Sequence, residues 1–122
     1  TSNTKTKTSS KQELVKVFYY TLIPGFAIEL KDHQKQSRFL QATICLTVLD
    51  ENIINTLKAY DPIIRNSILD LLSSNKYEDL NHQEGKEKLR KQILLSIKSI
   101  LESNKENNNE IKAVLFVDYV ME

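Results

Sequence analysis

Any nucleophilic, acid–base or metal chemistry in this chain would have to be built from Cys45, His33, His82 and two carboxylate pairs, Asp50-Glu51 and Glu78-Asp79. A cysteine attacks as its thiolate and needs a base beside it. Both histidines lie in polar stretches, away from the apolar run of residues 40–49 that holds Cys45. One thiol makes no intramolecular disulfide and no zinc site, and within that run it reads as a small buried residue. His33 and His82 are parted by apolar elements and lack ligand-like neighbours. Acid–base catalysis needs carboxylates whose surroundings drive their pKa values apart, and adjacent acids on one chain are more simply read as caps and turns. Two glycines, Gly25 and Gly85, cannot form a phosphate-cradling loop. No serine sits in a nucleophile elbow. The chain reads as a non-enzyme, with no cofactor and no metal site.

Contacts with a partner are the remaining kind of chemistry. Seventeen basic side chains against sixteen acidic ones leave a formal net charge of +1. A nucleic-acid binder needs a basic surplus to displace counterions from phosphate, so no nucleic-acid partner is expected. Tyr19-Tyr20 and Phe116 with Tyr119 could stack bases, but basic neighbours are sparse around both, and sheet packing is the simpler role. Lys86–Lys91 carries four basic residues with Glu87 among them, which reads as a solvated helix face; its alternative is a surface for anionic lipid or an acidic partner. Asp118 stands inside an apolar strand, where an unpaired buried carboxylate is costly. It is expected either to be exposed or to pair with Arg65 or Arg90.

The elements that position these groups follow from periodicity. Residues 15–23 are rich in β-branched and aromatic side chains and predict a strand. Pro24-Gly25 reads as a turn, and Phe26, Ile28 and Leu30 as a second short strand. From Arg38 to Leu49, Leu40, Ala42, Ile44, Leu46 and Val48 form one face at period two. The other face holds Gln41, Thr43 and Thr47 with Phe39, Cys45 and Leu49, which predicts partial cover. Asp50 predicts a helix N-cap ahead of Ile53, Ile54, Leu57 and Tyr60. Asp61 reads as the cap of a second helix with Pro62 in its first position and Ile64, Ile68, Leu71 and Leu72 as its stripe. Asn81 and Glu84 suggest a capping box for a helix to about Leu101. Residues 111–121 predict a last strand, apolar on both faces and so expected at the centre of the sheet.

The order is strands, then helices, then one strand. The fold class is therefore α+β, an antiparallel-rich sheet with helices packed on one side. At 122 residues the chain suits one domain. Residues 1–13 read as a flexible polar tether, a juxtamembrane linker, and 14–122 as the folded domain. No stretch approaches the roughly 20 apolar residues that span a bilayer, and such a tether suggests that an anchor precedes it.

Several segments together resemble the FliL family of flagellar basal body-associated proteins. They are Phe26-Ala-Ile-Glu-Leu30, Arg38-Phe-Leu, the proline-started helix Asp61-Pro-Ile-Ile-Arg ending Leu71-Leu-Ser-Ser, Gly85-Lys-Glu-Lys-Leu-Arg90, and the terminal Val114-Leu-Phe-Val-Asp-Tyr-Val-Met-Glu122. Their order and spacing cover the chain from about Phe18 to its end. Glu29, Val117 and Glu122 depart from the family, which often has asparagine, threonine and glutamine there; such changes bear on surface contacts and leave the core pattern intact. The resemblance implies a stomatin-like (SPFH) fold and a single-pass inner-membrane protein with this domain in the periplasm. It further implies association with the stator proteins MotA and MotB at the flagellar basal body, in a homo-oligomeric ring. Arg65 and Lys76, exposed polar positions on the helices, are the candidate partner contacts. Two other readings compete: a stomatin-like membrane scaffold of a non-flagellar system, and a small hydrolase with a pocket placing His33 or His82 beside Cys45 or an acid.

Overall fold

The computed structural model describes residues 15–122; the expected tether, residues 1–13, lies outside the described residues. Seven elements follow one another: β1 (Phe18–Lys31), β2 (Ser37–Val48), α1 (Asn52–Ala59), α2 (Asp61–Ser74), α3 (Tyr77–Leu80), α4 (Gln83–Ser103) and β3 (Ile111–Met121). The strands form one antiparallel sheet in the order β1-β2-β3. The fold is α+β, as the order of elements predicts.

The period-two face of β2 makes the floor of the core. Leu40, Ile44, Leu46 and Val48 are buried there with Leu22 and Phe26 of β1 and Val114 of β3. Above them lie the helical stripes: Ile64, Ile68 and Leu72 from α2, and Leu89, Ile93, Ile97 and Leu101 from α4. Each fully buried side chain of this size stabilises the fold by about 1.5–3 kcal/mol before the entropy of ordering it is charged. Ser67 and Ser96 hydrogen-bond across the seam between the two long helices, which lets small residues sit where the helices approach. Cys45 is buried too, but outside this cluster, because it projects from the opposite face of β2.

Four expectations are corrected. Pro24-Gly25 does not end a strand. β1 runs through it, with Leu22 paired to Ile44 and Phe26 to Ala42, so that residues 23–25 bulge opposite Thr43 alone. Proline is tolerated there because β1 is an edge strand, where a missing N–H need not break the ladder. The Ile23–Pro24 bond is cis. A Cβ on Gly25 would lie 2.9 Å from Thr43 Oγ1 and 3.0 Å from the Ala42 carbonyl oxygen, so a side chain would crowd the bend.

β3, second, is an edge strand, and β2 is the central one. The faces of β3 also differ from simple alternation. Between the pairs Thr43–Asp118 and Ile44–Phe116 one residue, Val117, is extra; between Thr47–Ala113 and Val48–Ile111 the extra residue is Lys112. Each bulge reverses the parity of the residues beyond it. Ile111 and Val114 are therefore buried and Phe116, Tyr119 and Met121 half-buried toward the helices, while Leu115, Asp118 and Val120 are exposed.

Helix starts are the third correction. Asp50 accepts from the Asn52 N–H at 3.0 Å as a capping group does, although the helix proper begins two residues later. Asp61 lies within the first turn of α2 and does not cap it; its carboxylate takes the hydroxyl of Tyr20 at 2.5 Å. The Asn81/Glu84 capping box is absent, and His82, in extended conformation, precedes α4 without a side-chain cap. Between α2 and α4 the chain adds the single turn α3, which pattern reading did not predict. Gly85 permits this: a Cβ there would sit 1.9 Å from the Asp79 carbonyl oxygen.

Fourth, the expected solvated face of Lys86–Lys91 is partly a packing surface. The Lys86 ammonium lies 4.6 Å from the centroid of the Tyr119 ring, and the Arg90 guanidinium 5.3 Å from that of Phe116. The cationic side chains lie against the aromatic rings and are half-buried there.

Candidate functional site

The residues with chemical potential are scattered by the fold. Cys45 lies mid-strand on β2, flanked by Thr21 and Leu115. His33 lies in the β1–β2 turn and His82 ahead of α4. Each histidine does share a shallow groove with acids: His33 with Asp32 and Glu78, His82 with Asp79 and Glu84. No hydroxyl or thiol lines either groove, and Cys45 lies in neither. Among the described residues no three potential ligands cluster as a metal site would require.

The hairpin end is the most ordered polar feature. Asp32 accepts the backbone N–H groups of Gln34 and Gln36 at 2.8 and 2.9 Å, closing a turn in which Lys35 takes a positive φ of 64°. Those two bonds, with Arg38 nearby, hold its carboxyl below the usual range against the opposing effect of desolvation. The next residue fastens the hairpin to the helical layer. Glu78 accepts both the His33 N–H at 2.8 Å and its ring nitrogen at 3.1 Å, and these bonds lower the Glu78 pKa. Arg38 donates to the Tyr77 hydroxyl at 2.6 Å and stacks 4.3 Å from that ring's centroid. Lys76 is exposed beside this junction, in the groove with Lys31, His33 and Glu78.

Arg65 is at the other end of α2. Its guanidinium donates to the carbonyls of Pro24 and Gly25, at 2.5 and 3.0 Å, and lies 4.3 Å from the centroid of Phe26. It thus serves the carbonyls that the β1 bulge frees from the ladder. The fold does not bring Arg65 and Lys76 into one patch. Asp118 is exposed and pairs with neither Arg65 nor Arg90; Arg90 is engaged by Glu87. The Asp32 turn, the His33–Glu78 link and the Arg38–Tyr77 stack went unread in the sequence. Only Asp32, an acid two residues before a turn amide, carries a local signal.

The sheet face away from the helices is the larger surface feature. Among the described residues no helix covers it. Tyr19 (58% exposed), Phe39 (48%), Leu115 (38%) and Val120 (40%) lie on it, and Val117 (60%) projects at the β3 bulge. Glu29, Phe39 and Glu122 form one cross-strand row, so two of the three departures from the FliL pattern are neighbours, and the third, Val117, is exposed on the same strand as Glu122's neighbours. Among the described residues no helix is long and apolar enough to cross a membrane.

The sheet thus carries helices on one face and exposed apolar and charged groups on the other. The chain matches the family model for flagellar basal body-associated protein FliL over residues 19–121. It is also 26% identical over 103 residues to a flagellar protein FliL of Aquifex aeolicus (strain VF5), a match covering 84% of this chain and 60% of that protein. The chain belongs to the FliL family, a family of flagellar accessory proteins and not a known enzyme family. It spans about three-fifths of the length of that relative.

Proposed function

We propose that this domain supports the stator of the flagellar motor. In this reading it stands in the periplasm on a single-pass inner-membrane anchor, self-associates in a ring around the stator proteins MotA and MotB, and aids torque or stator activation. The observation that carries the proposal is the family match over nearly all of the described chain. The one-sided sheet supports it, since a mechanical role needs contact surfaces and not a catalytic pocket. Likeness to the stomatin domain belongs to the same proposal and draws on the antiparallel sheet with its helical cover. Lys76 offers an exposed ammonium beside the hairpin. Arg65 would act by holding the β1 bend in shape, since one nitrogen of its guanidinium donates to both Pro24 and Gly25.

The test is a pull-down of the folded chain, free and tethered to a membrane, against the periplasmic part of MotB. Retention that Lys76→Glu weakens supports the stator role. A well-folded chain that fails to retain MotB in either format argues for the alternative, a stomatin-like scaffold of a non-flagellar system.

A further inference from the structure

The helix-free side of the sheet carries one sign of charge. Its apolar groups, Tyr19, Leu115, Val120 and Phe39, are spread along its length. Three carboxylates stand among them. Asp118 is opposite Thr43, and Glu29 and Glu122 flank Phe39 in a single cross-strand row. Among the described residues neither Asp118 nor Glu122 has an ion-pair partner, and Glu29 meets only Lys31, at 3.4 Å through one of its two oxygens. Two shallow grooves, of about 190 and 450 Å³, meet at Ala27 and Gln41. The first holds Asp118 and the second holds the Glu29–Phe39–Glu122 row. The acids therefore line one continuous track.

Charge and size select the occupant. A second copy laid face to face would set carboxylates against carboxylates, and anionic lipid or nucleic acid would be repelled in the same way. A cationic segment is attracted. Three strands roughly 4.8 Å apart present a surface about 10 Å wide, which is the width of one α-helix. Along β2 from Thr47 to Phe39 the face runs for about 26 Å, the length of a helix of about 18 residues. Aliphatic side chains on such a helix cover Leu115 and Val120, and its basic heads reach the acids. One of them can lie over the Phe39 ring, as the Arg65 guanidinium lies 4.3 Å from the centroid of Phe26.

We propose that the helix-free sheet face docks one basic amphipathic helix of a partner protein, with Asp118 as one anchor and the Glu29–Phe39–Glu122 row as the other. The rows of Thr43 and Phe39 are about 13 Å apart along β2, so the helix carries its basic residues about nine positions apart. The proposal rests on no part of the stator reading. Its electrostatic share weakens as salt rises, because the acids lie at the surface.

The experiment titrates the chain with two amphipathic helical peptides of about 18 residues, one of leucine and lysine and the other its leucine–glutamate counterpart. Amide NMR shifts and fluorescence anisotropy report binding. The expected result is saturable binding of the lysine peptide, with shifts at Gln41, Thr43 and Val120. Asp118→Lys with Glu122→Lys, both at exposed positions and checked for native circular dichroism, should weaken it about tenfold. Asp70→Lys, at an exposed acid of α2, should leave it unchanged. The proposal is overturned if the lysine peptide does not saturate, if the glutamate peptide binds as tightly, or if Asp70→Lys weakens binding as much. Retention on phosphatidylglycerol vesicles, or a dimer in sedimentation, that Asp118→Lys abolishes would assign the face to lipid or to a second copy and overturn it too. MotB retention is a separate readout, so the two proposals can fail independently.

Discussion

At the scale of single residues, Gly85 shows how a position can reverse the ordinary helix scale. Glycine inside a helix costs roughly 1 kcal/mol relative to alanine, so replacement should help. Here the added Cβ would meet the Asp79 backbone at 1.9 Å, and backbone cannot swing aside. Gly85→Ala should therefore destabilise by about 1–3 kcal/mol, in the range of overpacking, read as a lower urea midpoint with unchanged slope. Tyr20 offers a second check. Burial first, then its bond to Asp61, pushes its hydroxyl from 10.0 up to about 12. A raised folded pKa means that the protonated phenol's contribution is complete below pH 10 and fades as pH rises through about 12. Asp61→Asn should bring the last step of the tyrosinate absorbance titration to lower pH; a titration unchanged by that substitution would contradict the assigned bond.

At the scale of elements, the long amphipathic segments were legible and the irregular ones were not. The stripes of α2 and α4 follow directly from helical spacing, because a helix repeats regularly and only its buried face matters. Ile97→Ala should cost about 2–5 kcal/mol. Leu95→Ala, two residues away and 68% exposed, should stay within about 0.5 kcal/mol. Comparable losses for both in thermal melts would mean that the helix is docked on a different face. The strands were harder. Period-two reading assumes an unbroken ladder, and β3 has two bulges, so its inward set changed hands at Lys112 and again at Val117. Apolar residues on both faces suggested a central strand, whereas Leu115 and Val120 lie on the uncovered face of an edge strand. Pro24 misled for a related reason: its ring forbids ladder bonding but not an edge bulge, and the carbonyls left over are served by Arg65, forty residues along the chain and invisible to local pattern. The fastening of the polar turn to α3 went unread because it depends on pairs distant in sequence, His33 with Glu78 and Arg38 with Tyr77.

At the scale of the molecule, α+β order and one-sided cover follow from the succession of strands and helices. One core joins the sheet to both long helices, and no division of it falls between the layers. Unfolding should therefore be cooperative, with helix loss by far-UV circular dichroism and tyrosine fluorescence following the same transition. Separate midpoints would show that the hairpin and the helical layer melt independently. The same plan leaves the sheet side open, where aromatic and aliphatic groups meet solvent. With a formal charge of only +1, little long-range repulsion opposes contacts on that side.

The solitary thiol of Cys45 gives this architecture a built-in stopwatch. It is 4% exposed, set between Thr21 of one outer strand and Leu115 of the other. An alkylating reagent can reach it only when a neighbouring strand lifts, so the rate of modification counts those openings. Peeling of β3 alone would mark the thiol faster than whole-chain unfolding does. One natural atom thus distinguishes fraying at the margin from collapse of the whole, with no label added.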